Sequence, residues 1–259
     1  MNKQLHVVLT NDDGIQAFGL RSFYHALISS GYRVTVIAPV TEQSAVGHAL
    51  TVYNPLRLKY FDEQSFKGFG IYGTPSDCMK LGLIELLKND KPDIVVSGIN
   101  SGANVGPDIL YSGTVAAATE AAHLGFPAVA VSFDSYNFFD VKQHANYAVN
   151  VINNIDTENF PDRLVLNLNL PNIPANEIKG LAVCPQTTAL WADVYKERHD
   201  PRGNSYWWME GHMPKDQVEE HSDRAMLWAG YATLTPLKFD FTNREAMSLC
   251  EELKEKIKQ

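Results

Sequence analysis

The fold class this sequence predicts is α/β, a mostly parallel sheet flanked by helices, with an extended hairpin or arm toward the C-terminal end. Three observations carry that reading. Short apolar, β-branched runs alternate with segments whose apolar residues recur at helical spacing. Glycines close the helical segments before the next strand begins. From about residue 189 the alternation gives way to a stretch in which aromatic and charged residues are mixed.

Taken in order, Leu5 to Thr10 reads as a strand, and Leu20, Phe23, Leu27 and Ile28 then mark one face of a helix that Gly31 stops. Arg33 to Ala38 is a second strand, so strand, helix and strand imply a parallel pair joined by a right-handed crossover. Residues 49–72 alternate apolar and polar around expected turns at Asn54-Pro55 and Lys67-Gly68, the pattern of antiparallel excursions or edge strands. Thr74 is a good N-cap, Pro75 suits the first helical position and Asp77 complements the dipole of a helix reaching about Lys88. Asp93 to Ser97 is a strand leading into a long glycine- and asparagine-rich loop, Gly98 to Pro107. An alanine-rich helix from Thr114 to Leu124 ends at Gly125, and Ala128 to Phe133 is a further buried strand.

A helix near Val141 to Ile155 and strands at Leu164 to Leu170 and Leu181 to Val183 complete the pattern. Between about residues 189 and 229, Trp191, Tyr195, Tyr206, Trp207, Trp208 and Trp228 suit either an arm seeking a partner surface or a local lid with its aromatics buried at home. A last helix, about 243–258, is expected against the domain edge. The plan is one domain over residues 1–259, with the arm and last helix available for contacts between copies.

Composition narrows the function. Hydrophobic residues at 45% and charged residues at 20% of 259 describe an ordinary globular chain. A net charge of −8 opposes duplex nucleic acid, which needs a basic surface, but a small anion remains open if a cation and backbone amides neutralise it. No run approaches the roughly 20 apolar residues of a membrane span, and the first residues lack the apolar core of a signal peptide. Cys78, Cys184 and Cys250 are odd in number and far apart, which suits reduced thiols in a cytoplasm. No dinucleotide glycine fingerprint, P-loop or paired zinc histidines occur. Ser97 and Ser112 lack a serine-hydrolase elbow, and His199, His212 and His221 in the arm read as surface residues.

The residues that remain are oxygen donors. Asp12 and Asp13 follow the first strand, at the edge where open α/β sheets bind ligands, and two adjacent carboxylates in one pocket call for a cation. Asn11-Asp12-Asp13-Gly14 suits a solvated turn at least as well on its own. Ser44 after the second strand and Asn100 after the strand 93–97 reach the same edge. Two carboxylates, a hydroxyl and an amide fit Mg²⁺ or Mn²⁺ better than zinc. Ser112, Gly113 and Thr114 stand at a helix start, where free amides suit a phosphate, or where a plain N-cap would also serve.

The strings LTNDDG, EQSAVGHALT, YGTPSDC, VSGINSGANVGPDILYSGTVAAATEAA and DRAMLWAGYATLTPL together resemble, in order, the SurE family of survival-protein 5′-nucleotidases. The resemblance implies a Rossmann-like core, one divalent metal ion, and hydrolysis of nucleoside 5′-monophosphates, with 3′-monophosphates and short polyphosphate as further substrates. It implies metal ligands at Asp12, Asp13, Ser44 and Asn100 and phosphate contacts at Asn104, Ser112, Gly113 and Thr114. It also implies a homodimer or homotetramer built by exchange of C-terminal segments. Asp12 or Asp13 would serve catalysis either by holding the ion while water attacks phosphorus or as general base or nucleophile. A non-catalytic nucleotide or anion sensor is the rival reading of the same residues.

Overall fold

A computed structural model describes residues 4–136 and 141–257. Its central sheet has nine strands in the order β3-β4-β2-β1-β5-β6-β7-β11-β8. These are β1 (His6–Thr10), β2 (Arg33–Pro39), β3 (Leu58–Glu63), β4 (Phe66–Ile71), β5 (Ile94–Ser101), β6 (Ala128–Phe133), β7 (Val165–Leu170), β8 (Leu181–Val183) and β11 (Ala232–Leu237). The run from β4 through β7 is parallel throughout, whereas β3 and β11 pair antiparallel with β4 and β7. The expected mostly parallel α/β architecture is therefore present.

Helices α1 (Phe18–Ser29) and α4 (Lys142–Ile152) cover one face of the sheet, and α2 (Pro75–Leu81) and α3 (Gly113–His123) cover the other. Because β1, β5 and β6 are apolar on both sides, alternate residues enter different cores. Val7, Leu9, Val96 and Val131 pack with Phe23 and Leu27 of α1, while Val8, Val95 and Ala130 pack with Cys78 and Met79 of α2 and Ala118 of α3. Burying a side chain such as Phe23 contributes roughly 1.5–3 kcal/mol. The small residues along α3 let it lie close to the sheet.

Several sequence boundaries move. Lys67-Gly68 is not a turn but part of β4, and the hairpin turns at Gln64-Ser65. A Cβ on Gly68 would lie 2.9 Å from that of Val36, so the glycine is there to seat β4 against β2. α2 is a capped helix with Thr74 and Asp77 forming a capping box, but it stops at Leu81 and continues as a π-turn over Gly82–Leu86. The supposed loop start Gly98–Ser101 belongs to β5, which resumes pairing with β6 at Asn100↔Ser132 after a register shift.

The second sheet is a two-stranded antiparallel hairpin, β9 (Ala192–His199) and β10 (Ser205–His212), and every residue in it is exposed. The stretch 223–229 is not part of it, since α5 (Asp223–Trp228) buries Leu227 and hangs from the body. The C-terminal helix α6 (Met247–Ile257) corrects the expectation of packing at the domain edge. None of its residues is buried, and Leu249, Leu253 and Ile257 form an exposed stripe along it. Lys258, the expected last helical residue, lies outside the described residues.

Candidate active site

The chain builds β2 on one side of β1 and later returns to place β5 on the other, so the strand order switches beside β1. Above the carboxyl ends at such a switch the connections diverge and leave a crevice. Asp12 and Asp13 occupy it. Their turn is clipped in place: Asn11 Nδ2 donates to Gly14 O at 3.0 Å, Ile15 N to Pro39 O at 2.8 Å, and Gln43 N to Asp12 O at 2.8 Å. Gly14 has φ +99°, a left-handed conformation glycine adopts freely.

Asp12 is not in a solvated turn. It is 4% exposed, and its Oδ1 accepts the Thr114 hydroxyl. α3 starts so close that a Cβ on Gly113 would come within 2.7 Å of Asp12 Cβ, which explains a glycine at that helix start. Burial pushes the Asp12 pKa up, while the Thr114 hydroxyl and the Gly113 and Thr114 amides favour the carboxylate. Asp13, whose Oδ2 accepts from Ser101 N at 3.1 Å, is pushed up to about 7 by burial and then by the negative charges of Asp12 and Glu42.

Two crowded carboxylates facing a helix N-terminus leave an electrostatic deficit that a divalent cation removes. The donor chemistry fits such an ion. Asn100 is buried at the register shift, and its Nδ2 donates to Gly102 O at 2.8 Å, so its oxygen is the atom offered to a cation. Its neighbour Ser101 holds Asp13. Ser44 lies in the loop that Gln43 ties to Asp12, but it is exposed and its hydroxyl donates to Glu42 Oε1 at 2.7 Å. Among the four expected ligands, the structure brings together Asp12, Asp13 and the segment of Asn100, while the Ser44 side chain is turned to Glu42.

The expected phosphate residues are placed as follows. Ser112 is the N-cap of α3, its Oγ accepting from Val115 N at 3.1 Å while its own proton remains to be donated. Gly113 and Thr114 touch Asp12. Asn104 is largely committed to a buried network: its N donates to Asn169 Oδ1, its O accepts from Asn167 and Asn169, and its Nδ2 donates to Ser132 Oγ, all within 3.0 Å. Sequence reasoning missed Glu42 and this network. The Asn167-Leu168-Asn169 alternation in an otherwise apolar strand was its visible signal, because two asparagines two apart share one face.

The pKa of Asp13 gives a pH prediction. Between about pH 4 and the folded value of about 7, Asp13 binds more protons in the folded chain than in the unfolded one. Its contribution to the stability of the metal-free protein therefore falls as pH rises through that interval. Mg²⁺ is expected to flatten that fall, and Asp13→Asn to remove it without metal. Melting temperatures across pH 4–7, with chelator or with Mg²⁺, check this, and a slope unchanged by either treatment would contradict the assignment.

Comparison with known proteins identifies the family and the fold. The family described as Survival protein SurE matches residues 7–193. A protein named 5′-nucleotidase SurE from Nitratidesulfovibrio vulgaris (strain DP4) is 57% identical over 251 residues, covering 97% of this chain and 100% of the relative. One of the same name from Oleidesulfovibrio alaskensis (strain G20) is 58% identical over 255 residues, 98% of each chain. The crystal structure of the SurE protein from Aquifex aeolicus superposes with a TM-score of 0.84 at 35% identity, over 96% of this chain and 99% of that one. With the family match spanning most of the chain and the relatives aligned nearly end to end, this chain belongs to the SurE survival-protein family.

Proposed function

We propose that this chain is a 5′-nucleotidase, a metal-dependent phosphomonoesterase that converts nucleoside 5′-monophosphates to nucleoside and phosphate. The observation that carries the reading is near-full-length identity above 50% to proteins named 5′-nucleotidase SurE, in a chain whose acidic pair is buried at the strand switch. A sensor would need no such pair of destabilised carboxylates.

Asp12, Asp13, Asn100 and, after rotation away from Glu42, Ser44 would hold one Mg²⁺ or Mn²⁺ ion. When bound, that ion supplies Lewis-acid polarisation of a phosphoryl oxygen and a lower pKa for water. Asp12 is fixed by Thr114 and Asp13 by Ser101, so the pair enters the reaction already oriented. Ser112 retains a hydroxyl proton to donate at the start of α3, where the Gly113 and Thr114 amides favour the Asp12 carboxylate, and it would offset charge on the transferring group. Asn104 would act from the loop it anchors. Hydrolysis of 3′-monophosphates and short polyphosphate would use the same phosphoryl site.

The test is phosphate release from a panel of 5′- and 3′-monophosphates and tripolyphosphate, with Mg²⁺, Mn²⁺ or chelator. Turnover of 5′-monophosphates that stops with chelator is expected. Binding without turnover under every metal would leave the sensor.

The arm and last helix are proposed as contacts between copies in a homodimer or homotetramer, with residues 1–259 otherwise one domain. A two-stranded hairpin is marginal by itself, yet β9 and β10 expose Tyr195, Trp207 and Met209 on one face and Trp208 on the other. Light scattering should give a mass of two or four chains, and deletion of 192–212 should lower it. Among the described residues no helix is long and apolar enough to cross a membrane. The three free cysteines suit a reducing compartment, and we place the protein in the cytoplasm.

A further inference from the structure

We infer that His48, Glu120 and His123 form a second cation site, which takes a transition-metal ion of the zinc class and is separate from the acidic pair. Glu120 and His123 sit at i and i+3 on α3, a spacing that turns both toward one neighbour. From Thr114, which touches Asp12, they lie ~9 Å and ~13 Å further along the helix axis. His48 comes from the loop that follows Ser44.

One ligand atom from each of the three side chains lies within 4.8 Å of the others. Glu120 is buried and forms the floor, with Oε2 2.8 Å from His48 Nε2. The His48 and His123 rings stack with centroids 5.9 Å apart and planes 16° apart, and both reach solvent. A tetrahedral zinc with bonds of about 2.0–2.1 Å sets its ligand atoms about 3.3 Å apart. The His48–Glu120 pair has to open slightly and His123 to close, leaving the fourth position for water. Burial, and next the neighbouring His48, lower the His123 pKa, which favours the neutral ring a metal needs.

Two cations face this group. Lys80 Nζ lies 2.5 Å from Glu120 Oε1, and Arg163 acts on His123. They oppose a hard ion such as Mg²⁺, which gains little from imidazole. Zinc instead takes two nitrogens and the second carboxylate oxygen, Oε2, while Lys80, itself half-exposed, keeps Oε1 or swings into water. The plain alternative is an ion-pair network, Lys80–Glu120–His48, that fastens the Ser44 loop to α3 and binds no metal. The two differ in the effect of Lys80: it competes with a bound ion in the first and belongs to the structure in the second.

The experiment titrates untagged full-length protein, saturated with Mg²⁺, with Zn²⁺ by calorimetry, and records the visible spectrum with Co²⁺ in its place. One zinc per chain is expected, with the intense bands of four-coordinate Co²⁺. His48→Gln, which keeps a hydrogen-bond donor toward Glu120, and His123→Ala should each weaken zinc by at least about tenfold, since loss of a ligand exceeds the 10–100-fold cost of an outer-shell change only in severity. Lys80→Met should tighten it, and Asp12→Asn should leave it unchanged. Zinc affinity indifferent to both histidine changes, a six-coordinate Co²⁺ spectrum, or weaker binding in Lys80→Met would overturn the site. Because the readout is binding, these results stand apart from whether the acidic pair is catalytic.

Discussion

Asp12→Asn is expected to lower kcat/KM for nucleoside monophosphate hydrolysis by at least about a hundredfold, because a direct ligand should cost no less than the 10–100-fold typical of groups behind the ligands. The change is isosteric. Asparagine Oδ1 can still accept the Thr114 hydroxyl, so the contact between β1 and α3 survives. What disappears is one negative charge of a crowded pair. The same substitution relieves the repulsion that helps push Asp13 up to about 7, so the metal-free variant should melt at or above the wild-type temperature. Activity lost with stability kept or raised is the signature of a functional carboxylate in an electrostatically costly position. Steady-state kinetics beside thermal melts checks both halves, and full activity in the variant would remove Asp12 from the proposed metal site.

Gly98→Ala is expected to have the largest effect on stability, about 3 kcal/mol or more, as the sum of backbone and overpacking costs. Gly98 sits in the middle of β5 with φ +140°, and an added Cβ would lie 2.2 Å from the carbonyl oxygen of Val131 on β6. The obstacle is backbone in a neighbouring central strand, which has no rotamer to escape into. Either β5 separates from β6 or the register shift between Ser97 and Asn100 relaxes. The second response carries Asn100 away from Asp13, so surviving folded protein should also bind Mg²⁺ more weakly. Gly125→Ala supplies the control: its φ is +86° but nothing lies within 4 Å of the new atom, so only the backbone cost of about 1 kcal/mol applies. Urea denaturation of both variants measures the difference, and equal losses would show that contact with Val131 is not the cause.

Much of the fold was legible because its signals are local. The apolar runs of β1, β2, β5 and β6, the Thr74-Pro75-Ser76-Asp77 cap and the glycines that end α1 and α3 are each dictated by periodicity or backbone freedom within a few residues. The oxygen donors Asp12, Asp13, Ser44 and Asn100 could be picked out as a candidate cation set, and the role proposed for them rests on the ordered family strings. Lys67-Gly68 misled because glycine reads as a turn, whereas here it makes room for Val36 across the sheet.

The sequence by itself determined the alternation of elements and the family. Only tertiary structure decided whether Asn11-Asp12-Asp13-Gly14 was a wet turn or a buried site, because the burial of Asp12 comes from α3, a hundred residues away in sequence, whose first turn closes over it. The raised pKa of Asp13 likewise follows from desolvation and from Glu42 across the crevice, neither of which a local pattern encodes. The same holds at the other end of the chain. The sequence predicts a last helix against the domain edge, but whether it packs there is a matter of long-range packing, and none of the residues of α6 is buried.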